Sequence, residues 1–348
     1  MPQSQEPASR WLGEAAVGNR LTVRLLAGGV GPSGGPAMRD IVGTLESKTA
    51  GPSLNPTSCW LMRRKDGTVE LVVVDTIVAV KVLSGPPPTS DQRSALGISD
   101  LELEQIAAKG WQPLASEQLG GWTLRASGGF TGRANSVLPL GDPGLDVENA
   151  LQTVRDWYLG HDLPALFQVP LPLAVPLDDG LSTRGWMAFN PTLVMVADIA
   201  ALLMQRPTSG ELARVQFHPE PSAAWLRTYN YRGKALPVGA REVMVNADQP
   251  VFASLVDQTQ SRLVAVARGA IYKRWLGITA VDVIESERRK GHASRLMAAL
   301  FAHAQHEGVR HVYLQVAEDN QPALTLYEGL GFTAHHRYHY RRATKVDP

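Results

Sequence analysis

The order of elements written twice in the chain constrains its fold more than any single motif. In residues 273–342 an apolar strand, KRWLGITAVDVI (273–284), leads to a helix, HASRLMAALFAHAQHEG (292–308). A buried strand HVYLQV (311–316), a short glycine-terminated helix NQPALTLYEGLGF (320–332) and an alternating strand TAHHRYHYRR (333–342) follow. The same rhythm runs through GRANSVLPLG (132–141), DVENALQTVRDWYLG (146–160), PALFQVP (164–170), LDDGLSTRGW (177–186) and MAFNPTLVMVADI (187–199). Residue identity between the two series is weak. A degenerate duplication of α+β units, roughly 100 residues each, is the reading we adopt; two unrelated α+β segments of similar rhythm are the alternative.

Ahead of the repeats, residues 19–83 are strand-like and turn-rich, with a Lys-Asp-Gly hairpin signal at 65–67. Five short strands in so little chain suggest a small all-β barrel over 1–83, closed off by the proline-rich linker SGPPPTSDQRSA at 84–95. The expected divisions are therefore 1–83, a linker at 84–95, a first copy at 96–206 and a second at 207–348. With 348 residues and 44% hydrophobic content, there is ample apolar material for that many cores.

Composition excludes several classes. Thirty-four Lys and Arg balance 33 Asp and Glu, so no polybasic field argues for nucleic acid as a partner. The one cysteine, Cys59, excludes an internal disulfide and fits a reducing cytoplasm; in CWLM it reads as a buried strand residue rather than a nucleophile. MPQSQEPASR carries no apolar stretch behind a basic leader, and the longest apolar segment, 193–204, is short and contains Asp198. No membrane span or membrane partner is expected.

The copies differ at one helix entrance. The first runs DPGLDVEN (142–149); the second runs ERRKGHAS (287–294). A helix start preceded by glycine offers unpaired N–H groups and the positive end of the macrodipole, a ready anion site. Gly291 lets a ligand oxygen approach the backbone, and Arg288, Arg289 and Lys290 add positive charge. A solvated basic turn has the same composition, so the neighbours must decide.

They do. Arg288, Gly291 and Ala293 fit the pattern Arg/Gln-x-x-Gly-x-Gly/Ala behind a strand ending Val281-Asp282-Val283, and Leu314-Gln315-Val316, Asn320, Ala323, Tyr327, Gly331 and Phe332 follow at matching separations. Over about residues 250–340 this series resembles the GNAT superfamily of acyl-CoA-dependent N-acyltransferases. The resemblance implies an α+β chain with tandem GNAT-like copies, the first degenerate, behind an SH3-like barrel, similar to tandem acyltransferases of actinobacterial type. It implies acetyl-CoA as cosubstrate and an amine, small molecule or protein, as acceptor. The strand backbone at Val281, Asp282 and Val283 would pair with the pantetheine amides. Arg289, Lys290, Gly291, His292, Ala293 and Ser294 would hold the pyrophosphate through backbone N–H groups, Arg288 would support the loop, and Asn320 would meet the pantetheine arm. His292 departs from the pattern, where a small or apolar residue is usual.

The reaction this implies is attack of a neutral amine on the thioester, with the oxyanion stabilised by a main-chain N–H near Val283. Tyr327 would protonate the leaving thiolate. Asp282 and Glu285 are possible bases, and proton loss through water is equally open. A non-catalytic acyl-CoA sensor or scaffold is the alternative function; the pairing of loop and Tyr327 in the second copy, absent from the first, favours the enzyme. GGWTLRASGGFTGRANSV (120–137) reads either as the lining of a cleft between the copies or as a hairpin with glycine turns. His335, His336 and His339 read as a polar strand face, His335 and His339 on one side and His336 on the other without an acidic partner, so no metal site is expected.

Overall fold

In the first unit, Leu21, Val23 and Leu25 are buried while Arg20, Arg24 and Leu26 are exposed, the period of a strand with one covered face. This strand, β1 (Arg20–Val30), is followed by β2 (Pro36–Thr49), β3 (Cys59–Arg64), β4 (Val69–Val73) and β5 (Ile77–Ser84). The order in the sheet is β4-β3-β2-β1-β5, every pair antiparallel. Ile41, Leu45, Trp60, Met62, Val72 and Val80 complete its core. Trp60 is 3% exposed, so it packs the core rather than a surface groove. No ladder joins β4 to β5 among the described residues; the pairing is that of an open sheet, not the closed barrel the strand spacing suggests.

This computed structural model describes residues 19–30, 36–49, 59–64, 68–84, 96–204, 215–229, 231, 236–257 and 262–343. The turn at 65–67, nearly all of the linker at 84–95 and the division at 206/207 lie outside the described residues. The chain separates into two units, Met1–Gln92 and Arg93–Pro348.

The second unit opens with α1 (Asp100–Gly110), capped by the Ser99 side chain. The first copy continues with β6 (Ala115–Leu119), β7 (Trp122–Ala126), β8 (Leu138–Pro139), α2 (Val147–Leu159), β9 (Leu166–Leu171), α3 (Val175–Thr183), β10 (Trp186–Asp198) and α4 (Ile199–Met204). The second comprises β11 (Val215–His218), α5 (Ala223–Thr228), α6 (Ala240–Val245), β12 (Gln249–Asp257), β13 (Arg262–Tyr272), β14 (Trp275–Val283), α7 (His292–His306), β15 (His311–Ala317), α8 (Gln321–Leu330) and β16 (Thr333–Ala343). β8 is shorter than the sequence suggests. Pro139 has no N–H to extend a ladder.

One eight-stranded sheet runs through both copies in the order β11-β12-β13-β14-β15-β10-β16-β9. The copies thus exchange their last strands: β10 pairs with β15 (Met195↔Leu314), and β16 pairs with β9 (Tyr338↔Pro170). Leu296, Leu300 and Ala304 of α7 cover one sheet face against Leu276, Ile278, Val312 and Leu314. On the other face Ile106 of α1 joins Trp275, Tyr313, Tyr338 and Tyr340. No helix among the described residues is long and apolar enough to cross a membrane.

Candidate active site

β14 and β15 are parallel neighbours that part company. Their ladder runs from Trp275↔His311 to Ile278↔Leu314 and ends there, while β14 continues to Val283 paired only with β13. Ala280, with φ of 52°, sits at a register shift in the β13–β14 ladder, the kind of irregularity that turns a strand from its neighbour. Beyond it the Ile284 N–H donates to Val264 of β13 at 3.0 Å. Backbone groups of an extended chain alternate edges, so those of Val283 and Val281 face the opening toward β15, whereas Asp282 pairs with Val266. Of the three strand positions expected to meet a ligand by backbone, Val281 and Val283 have the geometry for it.

The loop between β14 and α7 is built around a carboxylate that the sequence reading passed over. Glu287, 9% exposed, accepts from Lys290 at 3.0 Å, lies 3.3 Å from His292 Nε2 and 3.2 Å from Arg262. The Lys290 hydrogen bond, helped by His292 and Arg262, holds its pKa below the usual carboxylate range. Lys290 and His292 therefore point into the loop as its internal scaffold. Arg288 donates Nε to the Val283 carbonyl at 3.1 Å and ties the loop to the strand. Arg289 (φ 61°) and Gly291 (φ 77°) both take the left-handed conformation. Gly291 is the N-cap of α7 and supplies no side chain to cap it, so the first N–H groups of the helix, at His292 and Ala293, meet no side-chain cap.

Asn320 caps α8, its Oδ1 accepting the Ala323 N–H at 3.3 Å, which leaves the amide nitrogen as the end available to a ligand. Tyr327, on α8, packs against the α7 core and meets Phe332 edge-on at 6.0 Å. Burial pushes its phenol up to about 12, so it stays protonated at ordinary pH. The Asp282 carboxylate lies 3.9 Å from the Arg288 guanidinium and, with Val283 and Arg288, lines a cavity of about 1110 Å³.

A second cavity, about 330 Å³, is lined by residues of both copies: Thr131, Arg133, Phe189 and Thr192 from the first, Gln315, Tyr338 and Tyr340 from the second. Gln315 is the residue at which β15 leaves β14, and its Oε1 accepts from Arg133 at 3.0 Å and Tyr338 at 3.3 Å. The glycine-rich 120–137 segment does both things the sequence allowed, taking part in the β6–β7–β8 hairpins and lining this cavity through Gly129, Thr131, Gly132 and Arg133. The sequence places Gln315 on its strand but gives neither it nor Tyr338 a role at a cavity, because only the strand exchange brings them beside Arg133.

One expectation is corrected. Val194 pairs with His336 and Met195 with Ala334, which leaves His335 as the extra residue of a bulge. The period of 2 breaks there, and His335 and His336 turn together toward Asp100 of α1. Acidic partners are present as well: Glu104 lies 2.8 Å from His336 Nε2, and Asp178 lies 2.7 Å from His339 Nε2.

A strand order with β14 and β15 splayed, and a glycine-capped helix behind the splayed strand, defines a GNAT acyltransferase. The solved GCN5-related N-acetyltransferase from Kribbella flavida has this fold, with a TM-score of 0.50 at 16% identity over 72% of this chain and 96% of that one. Residues 99–341 match the family described as probable histone acetyltransferase Rv0428c C-terminal, and the chain belongs to that family. It is 30% identical over 342 residues to the probable histone acetyltransferase Rv0428c of Mycobacterium tuberculosis, covering 95% of this chain and 96% of that protein. It is 26% identical over 249 residues to the uncharacterized N-acetyltransferase YobR of Bacillus subtilis, covering 69% and 97%.

Proposed function

We propose that the chain moves an acetyl group from acetyl-CoA to a primary amine by direct attack on the thioester, in the second copy. The observation that carries this reading is the gap opened where the β14–β15 ladder ends at Ile278↔Leu314, with the uncapped α7 N-terminus behind it. Pantetheine adds to the edge of β14 at Val281 and Val283, and the pyrophosphate takes the N–H groups from Arg289 to Ser294. Neither requires a particular side chain at Arg289 or His292.

The acceptor enters through the two-copy cavity at Gln315, whose volume suits a lysine-sized side chain. A lysine on a basic protein is the acceptor class we favour, in keeping with the name of the Mycobacterium tuberculosis relative. Its amine, with a free pKa of about 10.4, must shed a proton before attack. The Val283 N–H then faces the developing oxyanion, and Tyr327 protonates the departing thiolate. Steady-state release of free thiol from acetyl-CoA, with and without lysine-rich protein and small amines, tests this directly. Acetyl-CoA binding without amine-dependent thiol release would leave a sensor, not an enzyme.

A further inference from the structure

On the α1 side of the sheet, outside the acetyl-transfer machinery, three ligand-type atoms converge in the interior. His335 Nδ1 and His336 Nδ1 are 2.9 Å apart, and Asp100 Oδ1 lies 3.3 Å from the first and 3.8 Å from the second. Both histidines are 1% exposed and Asp100 is 9% exposed. Four ligands at ~2.05 Å around a tetrahedral ion are separated by ~3.3 Å, the mean of these three distances.

The outer nitrogens fix the tautomers. His335 Nε2 faces the Ile98 carbonyl at 3.3 Å, an atom that only accepts. His336 Nε2 faces Glu104 Oε1 at 2.8 Å, while the other Glu104 oxygen accepts from Gln168 at 3.1 Å. Each ring therefore carries a hydrogen on Nε2, and in the neutral imidazole Nδ1 is then the lone-pair end. Two imidazole nitrogens and a carboxylate oxygen that converge within 4.8 Å of one another in the interior make a donor set for a cation. The buried Arg125 guanidinium does not supply it, being bonded to Ser136 and Gln168. A carbonyl and a carboxylate behind two imidazoles are also what orients histidines on a metal. We propose that Asp100, His335 and His336 bind a divalent ion of the zinc class, which pins α1 to the bulge where β16 crosses the exchanged strand β10.

The test uses the full-length chain, free of any histidine tag, made in zinc-supplemented medium and dialysed against a chelator. Elemental analysis should find about one zinc per chain, retained because the site is buried. Asp100→Asn, close in shape to the native residue, and His336→Gln should each hold under about a tenth of that. Replacing zinc by cobalt(II) should give the visible bands of an ion held by imidazole nitrogen and carboxylate oxygen. Wild-type protein without zinc and without a cobalt spectrum would mean that a shared proton, not a metal, joins the rings, and would overturn the proposal. Zinc held equally by Asp100→Asn and His336→Gln would overturn it too.

Discussion

The two copies meet the same problem, an exposed helix N-terminus behind a strand, and solve it in opposite ways. At α2 the cap is Asp146, whose carboxylate accepts the Asn149 N–H at 3.0 Å. That backbone hydrogen bond, with the Asn149 side chain, holds Asp146 below its usual range, so the helix start carries its own anion. At α7 the cap is Gly291, with no side chain to offer. The strands differ in the same sense. Val137, just before β8, meets Phe167 of β9 through an isolated parallel bridge, and the Phe167 ring is enclosed edge-on by Trp122 and Trp186, each at 5.3 Å. In the second copy a four-residue parallel ladder opens into a gap. The copies thus differ at one helix entrance and one strand divergence, and on the function proposed above that difference separates the competent copy from the degenerate one.

The strongest way to break that contrast is to give the second copy the cap of the first. Gly291→Asp should weaken acetyl-CoA binding by about 100-fold or more, because the new carboxylate competes for the N–H groups and repels the pyrophosphate. Space is not the cause, since a Cβ at Gly291 meets nothing within 4 Å. At φ of 77° an aspartate costs about 1 kcal/mol, so the fold should persist. Calorimetry on the folded variant decides; unchanged affinity would remove the helix entrance from the coenzyme site.

Tyr327→Phe separates binding from chemistry. The turnover rate should fall about 10- to 100-fold with acetyl-CoA affinity nearly unchanged. Because burial raises the phenol to about 12, it stays protonated through the working range and is lost as a donor only as pH climbs toward that value. The wild-type rate should rise with pH as the amine deprotonates, with no falling limb near neutrality. A falling limb well below pH 12 would assign the acid to another group.

The α+β rhythm was legible because helix and strand periods are local, and the loop was legible because its glycine and arginines sit at fixed spacing. The strand exchange was not. β10 reads as the end of its own copy whether it pairs there or crosses between β15 and β16, since either place buries the same apolar face. Glu287 looked like one more charge in a charged run; only the fold closes Lys290, His292 and Arg262 around it. The histidine faces were misassigned for a similar reason, because period 2 cannot announce a bulge.

The exchange itself can be weakened from the first copy. Asp178 of α3 accepts from His339 and Arg341 of β16, both at 2.7 Å. Burial pushes its pKa up, but the His339 and Arg341 hydrogen bonds outweigh that and bring it down to about 2. Being depressed in the fold, Asp178 lends stability that is whole above its unfolded value of about 3.9 and is lost as pH falls through about 2. Asp178→Asn should therefore cost about 1–2 kcal/mol at pH 7, with the difference from wild type fading below pH 4. Denaturant midpoints at pH 7, 4 and 2 measure it. A pH-independent difference would mean that shape, not charge, holds the exchanged strand.

The smallest effect is the one that separates backbone from charge in the loop. Arg289 is exposed and, unlike Lys290, is not drawn to Glu287; it holds a left-handed φ of 61°, which glycine adopts without strain. Arg289→Gly therefore deletes the cation while keeping the path of the chain. If the N–H groups carry the pyrophosphate, affinity for acetyl-CoA should fall by less than about threefold, and that loss should vanish at high salt, where an exposed charge is screened. Arg289→Ala, which removes the same charge but must still adopt the strained φ, should do somewhat worse. A tenfold loss in Arg289→Gly that persists in high salt would move the binding energy from the backbone to the arginine, and the contrast between the copies would then rest on charge rather than on the uncapped helix.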